Sequence, residues 1–299
     1  MDIPKSFDCF SVIDFLERLS PVGVEFCQRE ILDPPIWGFR GHASERWALH
    51  GKSIREAHVE PHKLTNRQLI QREAIGLRKW FWAADELGIA LPEDSQSLRL
   101  LLGDFLWKLQ KAESVEWPPM ELRSMVALAQ HYGLSTRLLD WSFSPYVAAY
   151  FAAVDAARWT KGKAHELRKI EPDERLVVWA FETETYDRAQ SISMMPDDEP
   201  IAVIRAPRAG NVHLHAQQGF HTLIRTNHDA LDTPVSPFTF DGVADEHDIK
   251  MVTVPVVLAP QLLFALSRLG VTAATIFPGL SSVARAIDEQ ALWDPLPHG

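Results

Sequence analysis

The stretch Met125–Ala152, MVALAQHYGLSTRLLDWSFSPYVAAYFA, carries the transition that decides the fold. Apolar residues at helical spacing lead to a Tyr132-Gly133 turn, and a short β-like run follows over Ser135–Leu139. Ser144-Pro145 then opens a second helix, with serine at the N-cap and proline at the first helical position. Alanines at 148, 149, 152 and 153 let that helix lie close against a sheet. His131, Tyr132, Ser135, Thr136, Arg137 and Asp140 cluster at the junction, more polar groups than folding alone requires. Such groups between a strand and its flanking helices are placed to face a ligand.

Outward from this stretch, residues 10–19 show helical spacing, and residues 35–41 (PIWGFRG) read as a strand that Trp47–Leu49 continues as a hairpin. Residues 63–88, 97–112 and 119–132 are predicted helices, with Gly88 a C-cap and Pro118-Pro119 punctuating the last two. In the second half, residues 175–181, 202–205, 211–215, 219–225 and 250–256 read as strands, and 260–269 and 280–292 as helices. Helices first and strands second make the expected class α+β rather than an alternating parallel sheet. There is no GxGxxG after a strand and no GxxxxGK[ST], which argues against a doubly wound dinucleotide fold and a P-loop.

The chain of 299 residues fits one large domain or two ordinary ones. Its net charge of −10 repels phosphate backbones, so non-specific duplex binding is not the expected main function. A local basic groove drawn from Arg123, Arg137, Arg205, Arg208 and Arg225 stays open. Two cysteines, Cys9 and Cys27, fit a reducing compartment, and the histidines lack zinc-ligand spacing, so no metal is expected. With no signal-peptide pattern and no run of 18 apolar residues, a soluble cytoplasmic protein with no membrane partner is expected.

Three segments carry a family resemblance: Gly38-Phe39-Arg40-Gly41-His42, then Gln130–Ser142 (QHYGLSTRLLDWS), then Gln218-Gly219-Phe220. Together with the ending Ile276–Leu280 they resemble the FRG domain family over about residues 35 to 290. Ser135 stands where that family usually has proline, a conservative change in a turn. The resemblance implies residues 1–34 as a helical extension and 35–292 as the FRG domain, with a helical insertion over 63–132 beside the cleft. It also implies a distant relation to the ADP-ribosyltransferase superfamily, whose split β-sheet core binds NAD between two small sheets. The expected function is an NAD-dependent ADP-ribosyltransferase, a bacterial toxin or phage-defence effector that modifies nucleic acid or protein and answers to an antitoxin partner. The alternatives are an NAD glycohydrolase and a non-catalytic nucleotide- or partner-binding domain. A nuclease is disfavoured, because no carboxylate cluster has metal spacing.

Carried onto this chain, the three motif strands place Arg40, Ser135-Thr136 and Gln218 at the site, with NAD as substrate. Gln218 stands where the transferase pattern most often has glutamate, and an amide supplies neither a base nor a counter-charge. Arg40 suits a diphosphate, flanked by Gly38 and Gly41 whose bare backbone admits a ligand; otherwise it is half of a buried Arg–carboxylate pair. His131 either bonds a ribose hydroxyl or caps a helix, and Tyr132 either stacks on a base or packs. Thr136 and Ser135 orient a ribose, and Gln218 fixes its 2′-hydroxyl or caps a turn. Asp140 is expected to hold Arg137 or a backbone amide rather than to act as a base, and Trp141 to pack beneath the cleft. Glu182 and Glu184 alternate after an apolar strand and are reserve carboxylates on one face.

Overall fold

A computed structural model describes residues 5–23, 25–26, 36–59, 64–160, 171, 173–184, 201–205, 216–224, 231–235 and 248–293. Its centre is a seven-stranded mixed sheet built from β1 (Lys5–Asp8), β2 (Trp37–His42), β3 (Leu139–Ser142), β4 (Arg175–Glu182), β5 (Ile201–Ile204), β6 (Gly219–Ile224) and β7 (Ile249–Pro255). The strand order is β1-β7-β4-β2-β3-β6-β5; β1 runs parallel to β7 and every other neighbouring pair is antiparallel. The class is α+β, as the order of elements along the chain predicts.

Helix ends follow from local chemistry. The first helix, α1 (Val12–Arg18), opens on Ser11, whose hydroxyl accepts the Asp14 N–H at 3.2 Å. α2 (Lys52–Val59) follows β2. α3 (Asn66–Glu86) starts at a reciprocal capping box of Thr65 and Gln68, and α4 (Gln96–Lys111) at Ser95. α5 (Met120–His131) ends where Gly133, at φ +99°, turns the chain back. There Leu134 N–H reaches the Ala129 carbonyl at 2.9 Å and Gly133 N–H the Gln130 carbonyl at 2.8 Å, closing the orphaned turn. α6 (Pro145–Thr160) follows β3 directly, and α7 (Ala259–Arg268), the single turn α8 (Ala273–Ile276) and α9 (Leu280–Gln290) close the chain.

Two helical layers sit side by side on one face of the sheet. α6 and α7 bury Ala148, Ala152, Leu262 and Leu266 against Phe39, Val178, Ala180 and Val252. α3, α4 and α5 bury Leu77, Phe105 and Met125 against Ala202, Ile204 and Leu223 at the other end of the sheet. The register places both layers on the same side. Phe39 pairs with Ser142, Asp140 with His221 and Ala202 with Leu223, and residues two apart on a strand share a face. The opposite face is lined by Trp141, Val177, Trp179, Phe181 and Phe220.

The sheet narrows at one point. β2 and β4 pair continuously from Trp37↔Glu182 to His42↔Val177, and β3 and β6 from Leu139↔Thr222 to Ser142↔Gly219. β2 and β3 share only Phe39↔Ser142 and then part. The constraint comes from α6. A Cβ on Gly41 would lie 1.9 Å from the Ala148 carbonyl oxygen, so the helix backbone presses on β2 where only glycine fits.

Several expectations from sequence are corrected. The third strand starts at Leu139, not Ser135, because the Thr136 hydroxyl accepts the Leu138 N–H at 3.1 Å and turns the preceding residues off the ladder. Trp47–Leu49 is no hairpin; Trp47 N–H and His50 N–H close tight turns onto Ser44 and Ala48 at 3.2 and 3.0 Å. Residues 5–8 enter the sheet as an edge strand, so the start of the chain is not purely helical; the mostly exposed KSFD shows no alternation to reveal this. α2 lies between the predicted hairpin and the predicted 63–88 helix, where no element was expected. The strand expected over 211–215 lies outside the described residues.

A Gly41→Ala variant is expected to lose about 1–3 kcal/mol of stability, the usual cost of forcing a methyl into a closed contact. Urea unfolding followed by tryptophan fluorescence measures it; a midpoint equal to wild type would mean that α6 yields.

Candidate functional site

α6 covers β2 and β4 while α5 covers β5, and on the interior strand β3 between the two layers Ser142 is buried and Asp140 is left uncovered. Asp140 projects there, its side chain 63% exposed although β3 has neighbours on both sides. An exposed carboxylate on an interior strand marks a recess whose floor is the sheet. Its walls are the C-terminal end of α5 and the flank of α6.

Where β2 parts from β3, the Arg40 side chain spans the gap. Its Nη1 donates to the Asp140 carbonyl at 2.7 Å and lies 3.9 Å from Asp140 Oδ2, and its Nε donates to His42 Nε2 at 3.0 Å. His42 therefore accepts at Nε2 and carries its proton at Nδ1, toward the Trp47 carbonyl at 3.2 Å. Arg40 Nη2 makes no hydrogen bond among the described residues, and 15% of the side chain is accessible. Burial draws its pKa down to about 10; Asp140 opposes the shift and Arg55 on α2 adds to it. Arg40 remains cationic at neutral pH.

Asp140 is held through Oδ1. Gln130 Nε2 donates to it at 2.5 Å, and His221 Nε2 stands at 3.3 Å. The Gln130 amide oxygen accepts the hydroxyl of Thr136, so Thr136, Gln130 and Asp140 form one chain of hydrogen bonds. His221 is 3% exposed, and its Nδ1 is buried without a partner among the described residues. Partial desolvation raises the Asp140 pKa, but the His221 hydrogen bond and charge, Arg40 and Gln130 outweigh it and hold the carboxyl well below the usual carboxylate range.

The sequence-expected residues divide. Arg40 stands on the face opposite the recess, paired with Trp179, and its guanidinium meets Asp140 through the gap between β2 and β3, while Gly41 beside it lies on the recess face, pressed against α6. Thr136 is 2% exposed and acts on the recess only through Gln130. Ser135 turns away to Glu56, its hydroxyl donating at 2.7 Å. His131 and Tyr132 end α5 with ring centroids 5.3 Å apart, and Tyr132 is 58% exposed. Gln218 is exposed in a left-handed turn at φ +50°, one residue before β6, and its carbonyl accepts the Phe143 N–H at 3.1 Å.

Two further expectations are overturned. Asp140 does not hold Arg137, which forms a buried pair with Glu73 at 2.8 Å that Trp117 Nε1 completes at 2.7 Å. Glu182 and Glu184 do not alternate along one strand onto a shared face, because β4 ends at Glu182, whose carboxylate accepts the Glu184 N–H at 2.7 Å. Trp141 is core, as expected, and its Nε1 donates to Thr222 at 2.8 Å. Sequence reading gave no role to Gln130, His42, His221 or Arg55. The first two lie inside the quoted motifs, while His221 carries no signal beyond standing three residues after Gln218.

Two cavities of about 380 and 560 Å³ lie around α9 and share no lining residue with this cluster. There the Glu289 carboxylate is taken up by Tyr150, Arg158 and Arg285 at 2.6, 3.1 and 2.9 Å. Among the described residues, no three His, Cys, Asp or Glu side chains gather to hold a metal, and no helix is long and apolar enough to cross a membrane. The Arg40–Asp140 cluster sets a guanidinium beside an accessible carboxylate.

Residues 36–161, from β2 to the end of α6, match the family model of the FRG domain. No curated protein and no solved structure matches the chain.

The low Asp140 pKa is linked to stability with a definite sign. A folded-state pKa below the unfolded value of about 3.9 contributes stability above that pH, lost as pH falls through the folded value. The gap in urea midpoint between wild type and Asp140→Asn is expected to be widest at neutral pH and to shrink below about pH 4. A gap constant from pH 6 to pH 2 would refute the linkage.

Proposed function

We propose that the chain, an FRG-domain protein by its match over residues 36–161, is an ADP-ribosyltransferase that takes NAD as its substrate. The observation that carries this reading is the parting of β2 from β3, which sets the Arg40 guanidinium beside the accessible Asp140 carboxylate. A sheet that nearly divides at its middle is compatible with the split core of that superfamily. Arg40 binds the diphosphate through Nη2, and Tyr132 at the rim of α5 offers a ring face to a base. The acceptor is a nucleic acid or a protein, met at the rim formed by α3–α5. The cellular role is a toxin or phage-defence effector in the cytoplasm, restrained by an antitoxin partner. Hydrolysis of NAD is the second reading, favoured by the solvent access of Asp140.

The test incubates the purified chain with labelled NAD and cell lysate, with and without nucleases, beside Arg40→Ala. Label in a macromolecule that is lost in the variant is the expected result, and nuclease sensitivity separates nucleic acid from protein. Nicotinamide release without label transfer would make the chain a glycohydrolase. NAD binding with neither outcome would make the recess a sensor.

A further inference from the structure

Resting on the transferase reading, we propose that Asp140, rather than the residue at 218, is the catalytic carboxylate that faces the ribose C1′ of bound NAD. Gln218 is a neutral amide in an exposed turn beyond the end of β3, tied by its backbone to Phe143. The register sets Asp140 opposite His221, three residues beyond Gln218, and the Arg40 guanidinium comes within 3.9 Å of its carboxylate through the gap between β2 and β3. The other acidic candidates are committed elsewhere: Glu73 to Arg137 and Trp117, Glu289 to Tyr150 and Arg285, Glu182 to the Glu184 amide, and Glu56 to Ser135 and Lys52.

The two oxygens of Asp140 divide the work. Oδ1 takes both Gln130 and His221, which fixes the rotamer. Oδ2 has only Arg40 Nη1 near it, at 3.9 Å, and is the edge presented to the recess. A side chain so held is preorganised, so presenting its charge to a substrate needs little rearrangement. Gln130, Thr136 and His221 are positioning residues that act through it.

The chemistry requires a fixed negative charge more than a base. The C1′–N bond breaks, its electron pair leaves with neutral nicotinamide, and positive charge remains on the ribosyl group. Asp140 Oδ2 stabilises that charge. An oxygen or nitrogen nucleophile of the acceptor, or of water, then bonds to C1′ and gives its proton to solvent. A carboxylate held ionised by Arg40, His221 and Gln130 suits this role and is too weak a base to take the proton itself.

The experiment follows nicotinamide release and NAD binding for wild type, Asp140→Asn, Asp140→Glu and Gln218→Ala, with Glu121→Gln on the exposed side of α5 as the control. Asp140→Asn is expected to lower kcat by about 100-fold or more, with KM and NAD affinity close to wild type. Asp140→Glu keeps the charge and is expected to recover part of kcat, which a purely structural role would not give. Asp140→Asn turnover equal to wild type, or loss of turnover in Gln218→Ala beside an active Asp140→Asn, would overturn the assignment and leave the transferase reading standing. Wild type that binds NAD and releases no nicotinamide would overturn that reading and the assignment with it.

Discussion

The contact between α6 and β2 at Gly41 governs the rest of the structure. A helix whose facing residues are alanines packs on a strand whose facing residue is glycine, and the two backbones come closer than any side chain would permit. That helix is the direct continuation of β3, so its position over β2 dictates how β3 leaves the Phe39↔Ser142 pair. Once the strands have parted, the Asp140 carbonyl has no β2 amide opposite it and its ladder hydrogen bond is lost. The Arg40 guanidinium supplies the missing donor. Its charge is thus drawn to the centre of the sheet by a backbone requirement, and the carboxylate of the same Asp140 lies on the recess side.

The buried pair of Glu73 and Arg137 does similar work for the insertion. Glu73 lies on α3 and Arg137 just before β3, and Ser53 and Trp117 add hydrogen bonds to the same carboxylate from α2 and from the loop after α4. Breaking one partner of such a pair leaves an uncompensated buried charge, so the arrangement is held as a unit. It ties the helices between β2 and β3 to the segment that carries Thr136 and Asp140. The end of α5, with Gln130, is thereby kept at hydrogen-bonding distance from the recess.

The sequence reveals the parts of the fold whose signals are local. The N-caps, the Ala-rich face of α6, the Gly133 turn and the apolar β4 and β7 all announce themselves by short-range chemistry. β1 does not, because an edge strand of four mostly exposed residues is defined only by the strand it joins. The candidate site divides in the same way. Arg40 and Asp140 stand inside dense motifs and can be singled out, but their partnership cannot be read. Arg137 lies three residues from Asp140 and is the nearer partner along the chain, whereas Arg40 is brought in by strand order. His221 is recognisable only from the β3–β6 register, which sets it opposite Asp140.

A sheet whose halves share one ladder pair and a single aromatic cluster has a seam along β2 and β3. On the helical face the β1-β7-β4-β2 half packs beneath α6 and α7 and the β3-β6-β5 half beneath α3–α5, while on the other face one cluster holding Trp141, Trp179, Phe181 and Phe220 spans both. Contiguous units of this kind open with separate free energies, and amide exchange reports each one. The seam passes between Arg40 on one half and Asp140 on the other, so a bound molecule held by both would act as a clasp, slowing the opening of either half without touching its core.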